Sequence, residues 1–147
     1  MRGKKKPRSI PVVLLLLGIA FLPLGCADDE DQDSLTVQAS PNPVTGVVHG
    51  GQKRWDFTVT ITNQTQKPVT IAGYYGEVLD TDTGCTNPRE FHTNKPYTGV
   101  TIAPESAYSY EAGFVSTCFG SGENVRDYEG VADDGETVSG RVRISFR

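Results

Sequence analysis

Residues 55–71 read WDFTVTITNQTQKPVTI. Trp55, Phe57, Val59 and Ile61 take every second place, and Asp56, Thr58, Thr60 and Thr62 fill the places between. Successive side chains of a β-strand point to opposite faces, so this spacing predicts a strand with one aromatic-aliphatic face toward a core and one threonine face toward water. Asn63 to Lys67 is turn material, and Val69 and Ile71 resume the alternation. Asn63-Gln64-Thr65 fits a glycosylation sequon and is read as part of that turn.

The same two-residue period runs outward in both directions. Leu35 to Ala39 reads as an opening strand that runs into Ser40-Pro41-Asn42-Pro43. Those prolines cannot donate to a ladder, which places them at a sheet edge or a strand switch. Tyr74 to Leu79, Val100 with Ile102, Tyr108 to Phe114 and Val138 to Phe146 read as further strands. In the last of these Val138, Val142, Ile144 and Phe146 share one side, and Ser139, Arg141, Arg143, Ser145 and Arg147 share the other. About seven strands with one buried face each require two antiparallel sheets packed face to face, because a lone sheet would leave its apolar face in water. The expected fold is an all-β, immunoglobulin-like antiparallel sandwich over residues 35–147. Residues 55–71, with TIAPESAY at 101–108, resemble the second strand and a later pre-strand turn of bacterial Ig-like domains.

Composition supports this and narrows the function. With 16 Gly and 9 Pro in 147 residues, the chain does not suit a helical bundle. Five of its 14 Lys/Arg fall in residues 1–25, leaving nine against 18 Asp/Glu in residues 26–147, a net charge of −9 there. No nucleic-acid partner is expected of so acidic a surface.

The N-terminus carries a different message. Arg2, Lys4, Lys5, Lys6 and Arg8 precede an apolar run from Ile10 to Leu24. That run is shorter than the roughly 20 residues a spanning helix needs. A basic start and a short apolar middle make a secretory signal peptide. Its end, Leu22-Pro23-Leu24-Gly25-Cys26, resembles the lipobox of bacterial lipoproteins, with Pro23 where that pattern usually has Leu. The resemblance implies that residues 1–25 are cleaved and that Cys26 is lipidated as the mature N-terminus. It implies a membrane-anchored protein of the bacterial cell envelope. With Ala27 after the cysteine, it implies the outer membrane in a Gram-negative host, on the periplasmic or surface face. Several acyl chains anchor a protein stably where one does not. Residues 26–34 then form an acidic tether, with Asp28, Asp29, Glu30, Asp31 and Asp33 leaving nothing apolar to fold around.

With Cys26 acylated, Cys85 and Cys118 are the only cysteines left to pair, and an exported setting permits a disulfide. Two separate thiols, or a metal pair with His92, are the alternatives. For chemistry the chain offers little. Only His49 and His92 are present, and no nucleophile elbow appears. No enzyme activity and no cofactor are expected. Asp80 and Asp82 in a DTDTG turn make a weak calcium candidate, but the twelfth position of an EF-hand would fall on Phe91. Asp127, Glu129, Asp133, Asp134 and Glu136 read as a solvated acidic loop. Tyr74, Tyr75, Tyr97 and Tyr128 are the candidates for an exposed contact surface. The expected function is a non-catalytic, lipid-anchored binding or structural module with a protein or glycan partner. The alternative is an Ig-like proteinase inhibitor presenting a disulfide-stapled loop at 86–117.

Overall fold

A computed structural model describes residues 34–80, 84, 86–94, 96–117 and 120–147. Among them are nine strands and no helix. They are β1 (Leu35–Ser40), β2 (Val47–His49), β3 (Gln52–Asn63), β4 (Val69–Asp80), β5 (Thr86–His92), β6 (Thr101–Ile102), β7 (Ala107–Ser116), β8 (Gly122–Ala132) and β9 (Thr137–Phe146). Seven of them run six residues or longer.

These strands make two antiparallel sheets packed as a β-sandwich. In the first, β3 is central, with β1 and β2 along one side and β7 along the other. In the second the order is β5-β4-β8-β9, and β6 shares the β5 side of β4. The deciding stretch behaves as its alternation demands. Trp55, Phe57, Val59 and Ile61 are buried in the core, and Asp56, Thr58, Thr60 and Thr62 face outward. β9 repeats this over ten residues, with Val138, Gly140, Val142, Ile144 and Phe146 inside. Gly140 lacks a side chain for a reason: a Cβ there would stand 2.1 Å from the carbonyl oxygen of Leu35.

The two-proline segment is a strand switch. After Ser40 the chain leaves the first sheet, and Val44 bridges to Phe146 in parallel at the edge of the second. Asn42 fastens the crossing, donating from Nδ2 to the carbonyl of Arg143 at 2.9 Å and accepting from the Ser145 amide at 2.9 Å. Asn63 fastens the β3–β4 connection. Its fully buried amide donates to the carbonyls of Lys67 and Ile102 and accepts from the amide and hydroxyl of Thr65. The sequon is thus a built turn, with its amide nitrogen occupied.

Two segments differ from the sequence reading. Residues 86–117 are mostly strand, since β5, β6 and β7 lie within them. Thr86–His92 has no clean hydrophobic period because it is an edge strand, supported on one side by β4. The acidic stretch from Asp127 to Glu129 is also no loop; it lies in β8, between β4 and β9. The turn that does occur is confined to 133–136, where Gly135 takes a φ of +88°.

Candidate functional site

On one side of the sandwich β7 ends the first sheet and β5 ends the second, and a cleft of about 320 Å³ opens between these edges. Tyr74, Gly76 and Val78 of β4 and Asn124 and Arg126 of β8 line it from within. Glu90 and His92 come from β5, and Gly113 and Phe114 from β7.

The decisive residue is Arg126. In β8 the inward positions are Asn124, Arg126, Tyr128, Gly130 and Ala132, so strict alternation carries a guanidinium into the core. It is only 3% exposed. Its guanidinium carbon sits 4.9 Å from the Phe57 ring centre and 4.8 Å from that of Tyr74, a cation held between two aromatic faces. Its Nε donates to Asn124 Oδ1 at 2.8 Å. Burial opposes its charge, the neighbouring Tyr128, Tyr74 and Tyr110 favour it, and the balance lies above the ordinary arginine value.

Behind it stands a cluster of tyrosines. The hydroxyls of Tyr110 and Tyr128 share a hydrogen bond. Tyr74 lies 5.3 Å from Tyr97 and 5.1 Å from Tyr128, ring centre to ring centre, and Tyr97 lies 5.0 Å from Tyr110. Burial pushes the phenols of Tyr97, Tyr110 and Tyr128 above their ordinary value, for Tyr128 against the opposing pull of Arg126.

The four tyrosines proposed as a contact surface therefore divide. Tyr128 is fully buried and Tyr97 is 4% exposed, so neither is a surface residue. Tyr128 lies on the inward parity of β8, and Tyr97 folds from its connection onto Tyr110 and Tyr74. Tyr74 is half-buried in the cleft wall, 4.9 Å from the His92 ring. Only Tyr75 faces outward, on the far side of the second sheet, its ring centre 4.7 Å from that of Phe91 at a tilt of 47°, and under Arg89. On that outer face Asp127 joins Arg89 (2.8 Å) and Arg141. The hydrogen bond from Arg141, with the charges of Arg141 and Arg89, lowers the pKa of its carboxyl.

Cys26, Cys85, Cys118 and Asp82 lie outside the described residues, and Asp80 closes β4. The strands leading to the two later cysteines meet at one end of the sandwich. Leu79 pairs with Thr86 on one side and with Glu123 on the other, and Asp80 pairs with Gly122. Among the described residues no three His, Cys, Asp or Glu side chains are grouped to hold a metal ion.

Arg126 was missed because a charged residue inside an acidic stretch reads as solvated. The signal was its parity: two residues before Tyr128 and four before Gly130, it must share their face.

A two-sheet sandwich with an inward-facing cation at a lateral cleft is thus the class of domain defined here. Similar solved structures agree at the level of the fold. One is an X-ray structure of a Northeast Structural Genomics Consortium target, SoR45, with a TM-score of 0.64 and 19% identity over 78% of this chain and 88% of that one. Another is a Bordetella pertussis structural-genomics target assigned as ApaA, with a TM-score of 0.56 and 19% identity over 76% of this chain and 93% of that one. No family model matches the chain, and no curated protein does.

Proposed function

We propose that this chain is a lipid-anchored, non-catalytic protein of the bacterial cell envelope whose Ig-like domain binds a partner protein at the cleft between β5 and β7. The cleft carries the binding role. It is a concave site of about 320 Å³ with aromatic walls and a fixed guanidinium within, the make-up of a pocket that holds and orients a ligand. The Ig-like assignment draws on the strand order. The long strands β1, β3 and β7 stand against β5, β4, β8 and β9, the split that Ig-type sandwiches use when an added strand extends the sheet of their third strand.

The anchor rests on residues 1–34. The basic start, the apolar run to Leu24 and Gly25-Cys26 supply a lipidation site, and the acidic residues 28–33 supply a spacer that ends where β1 begins at Leu35. A radioactive fatty acid fed to expressing cells is expected to label the wild type and not Cys26→Ser, and only the wild type is expected to remain with membranes after processing. An unlabelled wild type in the soluble fraction refutes the anchor.

A further inference from the structure

We infer that the β5–β7 cleft takes the C-terminal end of a peptide, with its terminal carboxylate on Arg126 and a basic side chain at the mouth facing Glu90. This rests on the reading of the cleft as the binding site and adds the class of ligand.

The first observation is an imbalance of charge. Arg54, Arg89, Arg141 and Arg143, all on the outer faces, each meet a carboxylate: Asp56, Asp127 for the middle two, and Glu123. Arg126 is by far the most buried of these arginines, yet no carboxylate among the described residues lies within ion-pair distance of it. A buried charge without a counter-ion is held at a cost that an incoming anion relieves. A guanidinium has five N–H donors in a planar fork, and Asn124 takes the one on Nε. Because Arg126 lines the cleft, a carboxylate entering there meets the shape that such a fork matches.

The second observation is main chain. Among the described residues β7 pairs only with β3, and β5 only with β4, so each is an edge strand on the side of the cleft. Gly113 and Phe114 of β7 line the cleft along this edge. An extended peptide adds to such an edge through its own amides and carbonyls, a mode not open to a sugar or a free amino acid.

The third is the mouth. Glu77 and Glu90 line it, and neither takes part in an ion pair among the described residues. They repel a second carboxylate and attract a lysine or arginine side chain.

The test uses the full chain in detergent and isothermal titration with five probes: Gly-Gly-Lys, its C-terminal amide, Gly-Gly-Glu, free lysine and a neutral hexasaccharide. Gly-Gly-Lys is expected to bind best. The amide should bind at least about 10-fold more weakly, as fits loss of a charge-assisted hydrogen bond. Gly-Gly-Glu should be weaker than Gly-Gly-Lys, and free lysine weaker than the tripeptide. Arg126→Met should erase the difference between acid and amide. Glu90→Gln, an exposed change that leaves the fold alone, should weaken Gly-Gly-Lys by about 3-fold or more and leave Gly-Gly-Glu no weaker. Equal binding of acid and amide overturns the proposal while leaving the cleft as a peptide site. Binding of the hexasaccharide alone overturns the peptide class, and silence from every probe overturns both the class and the cleft as a binding site. None of these outcomes bears on the labelling of Cys26.

Discussion

The pair of hydroxyls on Tyr110 and Tyr128 gives the sharpest test of the buried network. Tyr128 is fully buried and Tyr110 nearly so, and their hydroxyls bond to one another. In Tyr110→Phe the buried Tyr128 hydroxyl loses that partner, and the expected loss is about 2 kcal/mol. In Tyr128→Phe the buried Tyr110 hydroxyl is stranded away from water, and the expected loss is about 2 kcal/mol. The double variant removes the stranded Tyr110 hydroxyl as well, so it should cost about 1 kcal/mol less than the sum of the singles. For a domain of this size each kcal/mol is worth about 3–6 °C of melting temperature, which places Tyr128→Phe about 6–12 °C below wild type. Urea titration followed by the fluorescence of Trp55, the single tryptophan and a fully buried one, reads all four proteins on one scale. Strict additivity of the two singles, or a Tyr128→Phe protein within roughly 0.5 kcal/mol of wild type, refutes the network.

Other outcomes follow from the same contacts. Burial raises the phenols of Tyr97, Tyr110 and Tyr128 above 10.0, so their contribution to stability is whole below that pH and is lost as pH climbs beyond it. Absorbance at 295 nm should therefore show at most three of the six tyrosines ionising before the fold opens, with the rest appearing together on alkaline unfolding. Asp127→Asn should cost on the order of 1 kcal/mol at neutral pH, a value held down because Arg89 and Arg141 are about half exposed. Because the carboxyl of Asp127 is lowered in the fold, that difference should vanish in urea titrations as pH falls below 3.8 and through the folded value. A disulfide between Cys85 and Cys118 would close a 33-residue interval and contribute about 3–4 kcal/mol. Reductant should then lower the melting temperature of wild type and leave Cys85→Ala/Cys118→Ala unmoved, and an indifferent wild type refutes the bond.

What the residues settled unaided was the architecture. The alternation in Trp55–Thr62 and in Val138–Arg147 assigns each side chain to a face, because a strand has only two and a core can take only one of them. Pro41 and Pro43 announced the switch for an equally local reason, the missing amide hydrogens. The turn at Asn63-Gln64-Thr65 was legible too, because a short polar side chain there bonds its own neighbours.

The tertiary structure decided the site. β5 escaped notice because an edge strand is held by the β4 backbone, whose pairing leaves no hydrophobic period in Thr86–His92. Tyr97 and Tyr128 were assigned to the surface from their polar neighbours in sequence, whereas their surroundings in space are other rings, brought from β4 and β7 by the packing of the sheets. Arg126 shows the difference most clearly. Its chain neighbours are Val125 and Asp127, but its energetic neighbours are Phe57, Tyr74 and Tyr128, and only sheet packing sets a guanidinium between an aromatic from each layer. Burial strengthens every interaction of that charge by removing the water that would screen it, and no linear stretch of residues encodes how far the water has been removed.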